Sequence, residues 1–416
     1  TLRVYSKYTF EYPYPVAISV EASNGMEYPM ICFNYGRPEK DGTYTERIKY
    51  GMISVIIHEV GHFYFPMIVN SDERQWTWMD EGLNTYLQFI TEQEWDRNYP
   101  SRRGPPKNIV SYMKGNKNNI SPIMTNSESI YQFGNNAYGK PATALNILRE
   151  TIVGRELFDF AFKEYSKTWM FKHPTPSDFF RILENASAVD LDWFWRGWFY
   201  GTDPVDLSID NVTWYTLDTK NPDIEFPLRK KKKDEEPIQI WQERNKIDIQ
   251  ETVVEIDEVA NDFYNKYDPF EVTILDKEEF SRYRDSSVVE PREKEIYNAN
   301  LNYYEIKFSN VGGLVMPIIL QLNYEDGTDF IIKIPAEIWK MNRKQITKIF
   351  ATKKQVSSFT LDPKLETADI DLLNNHWPRK MIQSKFELYK SKKLSRGQSS
   401  KENKMQRAKR AKKQSE

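Results

Sequence analysis

The feature that most constrains this chain is the run HEVGH, followed by eighteen residues and then a glutamate. His58 and His62 are four positions apart, so on a helix both imidazoles project from one face, one turn from each other. Glu81 lies far enough along for the first helix to end and for the chain to return as a second helix. Two imidazoles and one carboxylate predict a catalytic zinc site, because three protein ligands leave a fourth position for water.

Glu59 follows the first predicted ligand, where its carboxylate can reach a water molecule at the metal without binding the metal itself. We therefore predict that Glu59 is the general base. The alternative is a chance match in which both histidines are core residues, but the whole chain contains only four histidines. Asp80 could orient a ligand or could be a solvated surface residue, and the sequence leaves both interpretations open.

Length and composition exclude several other classes of protein. The 416 residues suggest two or three domains, and 39% hydrophobic with 14% aromatic residues is typical of a globular chain. The single Cys32 excludes an internal disulfide and a cysteine-rich zinc cluster. No run of eighteen apolar residues occurs, so we predict no transmembrane helix.

Ahead of the histidine pair lies the run NGMEYP, whose Asn-Gly step predicts a turn between extended segments. Together with HEVGH and Glu81, this run resembles the signature of the M1 family of zinc aminopeptidases, whose first motif is GxMEN. Two of the four fixed positions of that motif differ here, while Met26 and Glu27 match. The resemblance implies that Glu27 binds the free α-amine of a peptide and that Gly25 and Met26 line the cleft.

The family also has a Tyr-x-Lys-Gly run, which YGKP matches at Tyr138 and Lys140. The resemblance implies that Tyr138 is the phenol that hydrogen-bonds the oxyanion. The alternative is a tyrosine that packs at the start of a helix. The resemblance further implies a gluzincin, with a mainly helical, thermolysin-like catalytic domain, one Zn²⁺ ion, and peptide substrates with a free N-terminus. Relatives of this kind are often exported, so a periplasmic or secreted location is the expectation.

Changes in composition along the chain predict an α+β multidomain fold. Residues 1–204 would form the zinc peptidase domain, whose final aromatic run, LDWFWRGWFYG, we interpret as core. Residues 205–365 contain several strand-like runs, including 246–258 and 301–334, and predict a β-sandwich-like domain.

Charge is distributed unevenly. Residues 379–416 carry fourteen Lys and Arg and three Glu, hence +11, which leaves −13 for the remainder of a chain with a net charge of −2. We predict that residues 366–416 form a basic tail, disordered over most of its length, and that the charged run 229–237 is a solvated linker. A solvated tail is the expectation, and we expect no nucleic-acid partner.

M1 family members carry an N-terminal β-domain and the opening part of the catalytic domain before the first motif, and almost nothing precedes that motif here. We therefore expect a chain that lacks the N-terminal part of the family. Three functions stay open: an aminopeptidase, a thermolysin-like endopeptidase with the same metal ligands, and an inactive module that binds without turnover. No motif specifies the side-chain preference or the oligomeric state.

Overall fold

The structure is a computed structural model that describes residues 1–22, 25–285, 295–296, 299, 301–381 and 402–415. In chain order its helices are α1 (Leu2–Tyr8), α2 (Glu46–Gly61), α3 (Leu83–Trp95), α4 (Val110–Met113), α5 (Lys140–Ile147), α6 (Arg155–Thr168), α7 (Pro176–Ser187), α8 (Asp192–Trp198), α9 (Pro222–Asp234), α10 (Ile240–Asp248), α11 (Val253–Ile256), α12 (Phe263–Lys266), α13 (Ile274–Asp285) and α14 (Lys404–Ser415). Its strands are β1 (Ile18–Glu21), β2 (Met26–Tyr28), β3 (Ile31–Asn34), β4 (Leu207–Thr216), β5 (Asn302–Asn310), β6 (Ile318–Tyr324), β7 (Asp329–Ile334), β8 (Gln345–Thr352), β9 (Val356–Leu361) and β10 (His376–Trp377). Three turns are π-helical: Trp78–Gly82, Gly134–Gly139 and Leu148–Ile152.

By its internal contacts the chain divides into two compact units. The first comprises Thr1–Val212, Ile306–Lys348 and Val356–Glu416, and the second comprises Thr213–Glu305 and Ile349–Gln355. This division does not coincide with boundaries after residues 204 and 365, and those boundaries remain a prediction.

The helical part of the first unit is built around α2 and α3, which pack against each other. Thr45 begins α2 by accepting a hydrogen bond from the Ile48 amide at its Oγ1, at 3.2 Å. The last turns of α2 are buried, whereas its first turns are partly exposed. The aromatic run near α8 is core as predicted, since Trp195, Trp198 and Phe199 are all buried.

A small three-stranded sheet lies beside α2. Its order is β1–β3–β2, with β1 parallel and β2 antiparallel to the central β3. Both β2 and β3 contact α2. The sheet therefore brings the Met-Glu pair of the first motif to the helix that carries HEVGH.

The strands predicted within residues 301–334 are confirmed as β5, β6 and β7. An antiparallel sheet of order β10–β9–β6–β7 belongs to the first unit, and the turn between β6 and β7 contains Gly327 at a φ of +82°. This is the hairpin that the Asp-Gly pair predicts. A further three-stranded sheet has the order β4–β5–β8. The packing of a β-sandwich remains a prediction.

Two local predictions for the second unit are wrong. Residues 229–237 begin inside helix α9, and residues 246–258 contain the end of α10 and all of α11 rather than strands. Local signals for helices prevail, because Thr252 and Glu255 form a capping box at the start of α11. An alternating strand also needs a partner for its apolar face, whereas Ile247 is 80% exposed.

The predicted basic tail, residues 366–416, is wrong in its first part, because residues 366–381 contain strand β10 of the antiparallel sheet and bury Thr367, Ala368 and Asn375. Its last part is helical. Helix α14 occupies Lys404–Ser415, while residues 382–401 lie outside the described residues. Just before the helix, Asn403 Nδ2 donates to Thr43 Oγ1 at 3.0 Å. Within the described ranges, every helix is too short or too polar to span a bilayer.

Candidate active site

Three ligand atoms meet at the C-terminal end of α2. His58 Nε2 lies 3.1 Å from His62 Nε2 and 3.0 Å from Glu81 Oε2. His62 Nε2 lies 3.4 Å from the same carboxylate oxygen. A tetrahedral zinc ion with ligands at about 2.0–2.1 Å separates its ligand atoms by roughly 3.3 Å. The three residues therefore fit a zinc ion both by donor type and by spacing.

The outer nitrogen of each histidine ring also has a partner. His58 Nδ1 lies 2.9 Å from Gln88 Oε1. His62 Nδ1 lies 2.9 Å from the Phe65 carbonyl oxygen and 2.9 Å from Asp80 Oδ1. A proton on Nδ1 that is donated to these oxygens leaves the lone pair on Nε2, the atom that faces the site. For Asp80 the geometry favours orientation of a ligand, and its side chain is buried.

Unusual helical turns carry two of the predicted site residues. Glu81 lies in the π-helical turn Trp78–Gly82, directly before α3, and Tyr138 lies in the π-helical turn Gly134–Gly139. Such turns are frequent at functional sites. The Tyr138 hydroxyl donates a hydrogen bond to Glu81 Oε1. Gly82 is in close contact with its neighbours, because a Cβ there would collide with the Pro141 ring in α5 and crowd the Ala137 carbonyl oxygen of the second turn.

The carboxylates of Glu27 and Glu59 lie together beside this cluster. One oxygen of each comes within 4.8 Å of the other and of a ring nitrogen of His62. The backbone at Gly25 approaches so closely that a Cβ there would meet Glu59 Oε1. The structure does not place Met26 in the cleft. Its side chain is 45% exposed on the opposite face of β2, because successive residues of a strand point to opposite sides.

An open cleft of about 1420 Å³ contains these residues. A volume of that order exceeds the roughly 300–1,000 Å³ of a typical small-molecule pocket. Its walls are strongly charged. The charged lining consists of Glu27, Glu39, Glu46, Glu59, Glu81, Glu92, Arg37, Arg47, Arg102 and Arg103, together with the two histidines of the cluster.

Burial shifts the proton affinities of the site. It lowers the pKa of His58, which favours the neutral imidazole that a metal binds. Burial and the nearby carboxylates of Glu27 and Glu81 raise the pKa of Glu59 to about 8, although His62 opposes that shift. Burial alone would also raise the pKa of Glu81, but hydrogen bonds from both histidines hold it well below its usual range.

Sequence reasoning missed the residues that support the cluster. Asn84 Nδ2 donates to the His58 carbonyl oxygen at 2.8 Å, and the Tyr5 hydroxyl donates to Asn84 Oδ1 at 2.7 Å. Gln88 Nε2 donates to Glu92 Oε1 at 2.8 Å. A signal existed for three of them, because Asn84, Gln88 and Glu92 recur at helical spacing along α3. No sequence signal indicated Tyr5, because it lies 79 positions from Asn84 along the chain.

Comparison with known proteins assigns the same part of the chain to a family. Residues 3–198 match the family model described as the Peptidase family M1 domain. Glutamyl aminopeptidase of Sus scrofa is 29% identical over 144 residues, which cover 33% of this chain and 15% of that protein. Probable aminopeptidase 1 of Sulfurisphaera tokodaii is 24% identical over 228 residues, covering 51% of this chain and 29% of that protein. The chain thus spans less than a third of the length of these relatives.

Solved structures are similar over part of the chain. An M1 zinc metallopeptidase from Deinococcus radiodurans has 21% identity and a TM-score of 0.37, covering 48% of this chain and 42% of that chain. Legionella pneumophila aminopeptidase A, in complex with aspartic acid, has 16% identity and a TM-score of 0.47, covering 85% of this chain and 31% of that chain.

The histidine pair and Glu81 lie inside the matched residues, so this part of the chain is similar to the catalytic domain of a metallopeptidase. More particularly, residues 3–198 are similar to the peptidase family M1 domain.

Proposed function

We propose that this chain is the catalytic part of a zinc-dependent aminopeptidase that removes residues from the N-termini of peptides. The observation that carries the proposal is the convergence of His58, His62 and Glu81, with the carboxylate of Glu27 close by. The names of the relatives, glutamyl aminopeptidase and probable aminopeptidase, support it. His58, His62 and Glu81 would hold one zinc ion, which when bound polarises the scissile carbonyl and makes water more acidic.

Glu59 would act as the base and then as the acid. Its carboxylate takes a proton from the attacking water and returns that proton to the leaving amine. Tyr138 would donate its hydroxyl proton to the carbonyl oxygen as negative charge develops there. In the structure that hydroxyl donates to Glu81, so it has to change its acceptor when substrate binds.

Glu27 would decide where the enzyme cuts. A free α-amine is a cation at neutral pH, and a carboxylate beside the base binds it as a charge-assisted hydrogen-bond partner. The amine bound at Glu27 fixes the first peptide bond at the catalytic residues, so the chain is shortened one residue at a time.

Acetylation of the substrate tests the role of the amine. We expect a short peptide with a free N-terminus to be cleaved at its first bond and its N-acetylated form to be cleaved at least about a hundredfold more slowly, because a desolvated charge pair is lost. Cleavage that survives acetylation unchanged would instead indicate an endopeptidase. Bound zinc with no turnover of any peptide would indicate a binding module.

The change Glu59→Gln tests the base. We expect kcat to fall by about 10²–10⁴-fold, the usual contribution of general acid–base catalysis, while bound zinc is retained. Glu156→Gln, at an exposed position in α6, serves as the control and should leave kcat unchanged. Full activity in Glu59→Gln would remove Glu59 from the mechanism.

A further inference from the structure

Arg103 lies in the cleft against one of the proposed catalytic residues. Its guanidinium carbon is 4.2 Å from the centre of the Tyr138 ring, and the same ring stacks on His58 with centroids 5.6 Å apart. Burial lowers the pKa of Arg103, although Tyr138 and Glu81 oppose that shift. A positive charge therefore stands close to the reacting groups, in a position that no sequence motif predicts.

Among the described residues, none accepts a hydrogen bond from the guanidinium of Arg103. Arg149, a buried arginine, contrasts with it, since Arg149 donates to both carboxylate oxygens of Asp159, at 2.6 and 2.8 Å. For Arg103 the described residues provide the ring contact with Tyr138 and no hydrogen bond or ion pair. The N–H donors of a guanidinium lie in the plane of the group, where they can bind a carboxylate with two parallel hydrogen bonds.

The segment that carries Arg103 is fixed to its surroundings. The Ser101 hydroxyl donates to Glu92 Oε2 on α3. On the other side, Asn146 Nδ2 donates to the Gly104 carbonyl oxygen at 3.2 Å. Gly104 has a φ of +102°, and a Cβ there would collide with the Phe89 ring. Because its flanks are held, the backbone at Arg103 is fixed, and its guanidinium rests on the Tyr138 ring before any ligand binds, which lowers the entropic cost of binding.

We propose that Arg103 is a binding residue for a carboxylate of the peptide substrate. This inference rests on the proposed function and names the class of peptide that the cleft prefers. Glu27 neighbours Glu59 and would hold the amine, whereas Arg103 neighbours Tyr138 and would hold an anion. The carboxylate comes from one of two sources, the free C-terminus of a dipeptide or an acidic side chain of the peptide.

The test compares three dipeptides that differ in whether and where they carry a carboxylate, with wild-type enzyme and Arg103→Ala. Leu-Gly carries a terminal carboxylate, Leu-Gly-amide carries none, and Leu-Glu-amide carries one on a side chain. We expect Arg103→Ala to raise KM about tenfold or more for a carboxylate peptide, the worth of a charge-assisted hydrogen bond, with kcat changed less than about threefold. The KM for Leu-Gly-amide should not change. Whether Leu-Gly or Leu-Glu-amide shows the loss identifies the source.

Lys107→Ala is the matched control, because Lys107 is an exposed cation in the same segment and does not line the cleft. It should leave all three KM values unchanged. Arg103→Lys, which keeps the charge but not the paired donors, should recover part of the affinity. An equal loss for all three peptides, or a fall in kcat alone, would show that Arg103 only positions Tyr138 and would overturn the proposal.

A binding measurement separates this proposal from the proposed function. Calorimetric titration of zinc-loaded Glu59→Gln with Leu-Gly, Leu-Gly-amide and Leu-Glu-amide does not require turnover. If wild-type enzyme cleaves none of the peptides but Arg103→Ala in this background weakens binding of a carboxylate peptide about tenfold, the aminopeptidase proposal fails and the carboxylate site stands. If binding of every peptide is unchanged, the carboxylate site fails whatever the activity.

Discussion

At the scale of single residues, the site depends on glycines, which leave space for its side chains, as well as on the side chains themselves. A Cβ at Gly25 would meet Glu59 Oε1, and a Cβ at Gly61 would meet the hydroxyl of Tyr5 and the amide oxygen of Asn84. The glycine inside HEVGH therefore makes room for the contact that fixes the helix carrying both histidines. The histidines of the motif are the predicted ligands, but the glycine between them is what allows Tyr5 and Asn84 to approach the helix.

Gly25→Ala should impair catalysis without removing the metal. The added Cβ displaces the Glu59 carboxylate, and misplacement of a catalytic group by about 1 Å can cost on the order of a hundredfold in rate. We expect kcat/KM to fall about 10–100-fold, with zinc content unchanged. Gly51→Ala is the control, since a Cβ there meets nothing within 4 Å. Equal activity of the two variants would contradict the close approach at Gly25.

At the scale of elements, sequence spacing predicts the helix of HEVGH and the return of the chain at Glu81, because both depend on local periodicity. Residues that support the histidine cluster from distant segments of the chain, such as Tyr5, cannot be predicted from local spacing. Arg103 escapes for the same reason, since its neighbour Tyr138 is 35 positions further on (138 − 103 = 35). The run 246–258 shows the opposite error, in which an alternating pattern without a partner sheet forms helices.

Lys140 connects α5 to the loop that contains Gly201, and its burial makes stability depend on pH. It is 1% exposed at the start of α5, and its Nζ donates to the Gly201 carbonyl oxygen at 2.9 Å. Burial lowers its pKa to about 8, with opposition from Asp203. The folded state therefore disfavours the charged form, and stability that is fully present above the unfolded pKa of about 10.5 is lost as the pH falls towards 8.

Lys140→Met should abolish this dependence. Between pH 10.5 and 8 we expect the unfolding free energy of wild type to fall relative to that of the variant by about 3 kcal/mol, from a shift of about 2.5 pKa units. Urea denaturation across that range measures the difference. Lys167→Met, at an exposed position, is the control and should show a constant difference from wild type. A constant difference for Lys140→Met as well would show that Lys140 stays charged in the fold.

At the scale of the whole molecule, the proposed catalytic residues belong to the first compact unit, within the residues that match the M1 domain. The chain covers only 15–29% of the length of the two relatives compared, so the activity of this chain has to be measured rather than transferred. Its charge is also uneven, with +11 in residues 379–416 against −13 elsewhere. The metal cluster is the feature on which each proposed step depends.

Metal analysis of the purified chain after reconstitution with zinc tests that cluster most directly. We expect one zinc ion per chain, and we expect His62→Ala to lose it, because removal of one of three protein ligands leaves too few donors. His376→Ala, in strand β10 outside the cluster, should keep the metal. A wild-type chain that takes up no zinc, or a His62→Ala chain that keeps a full equivalent, would contradict the account.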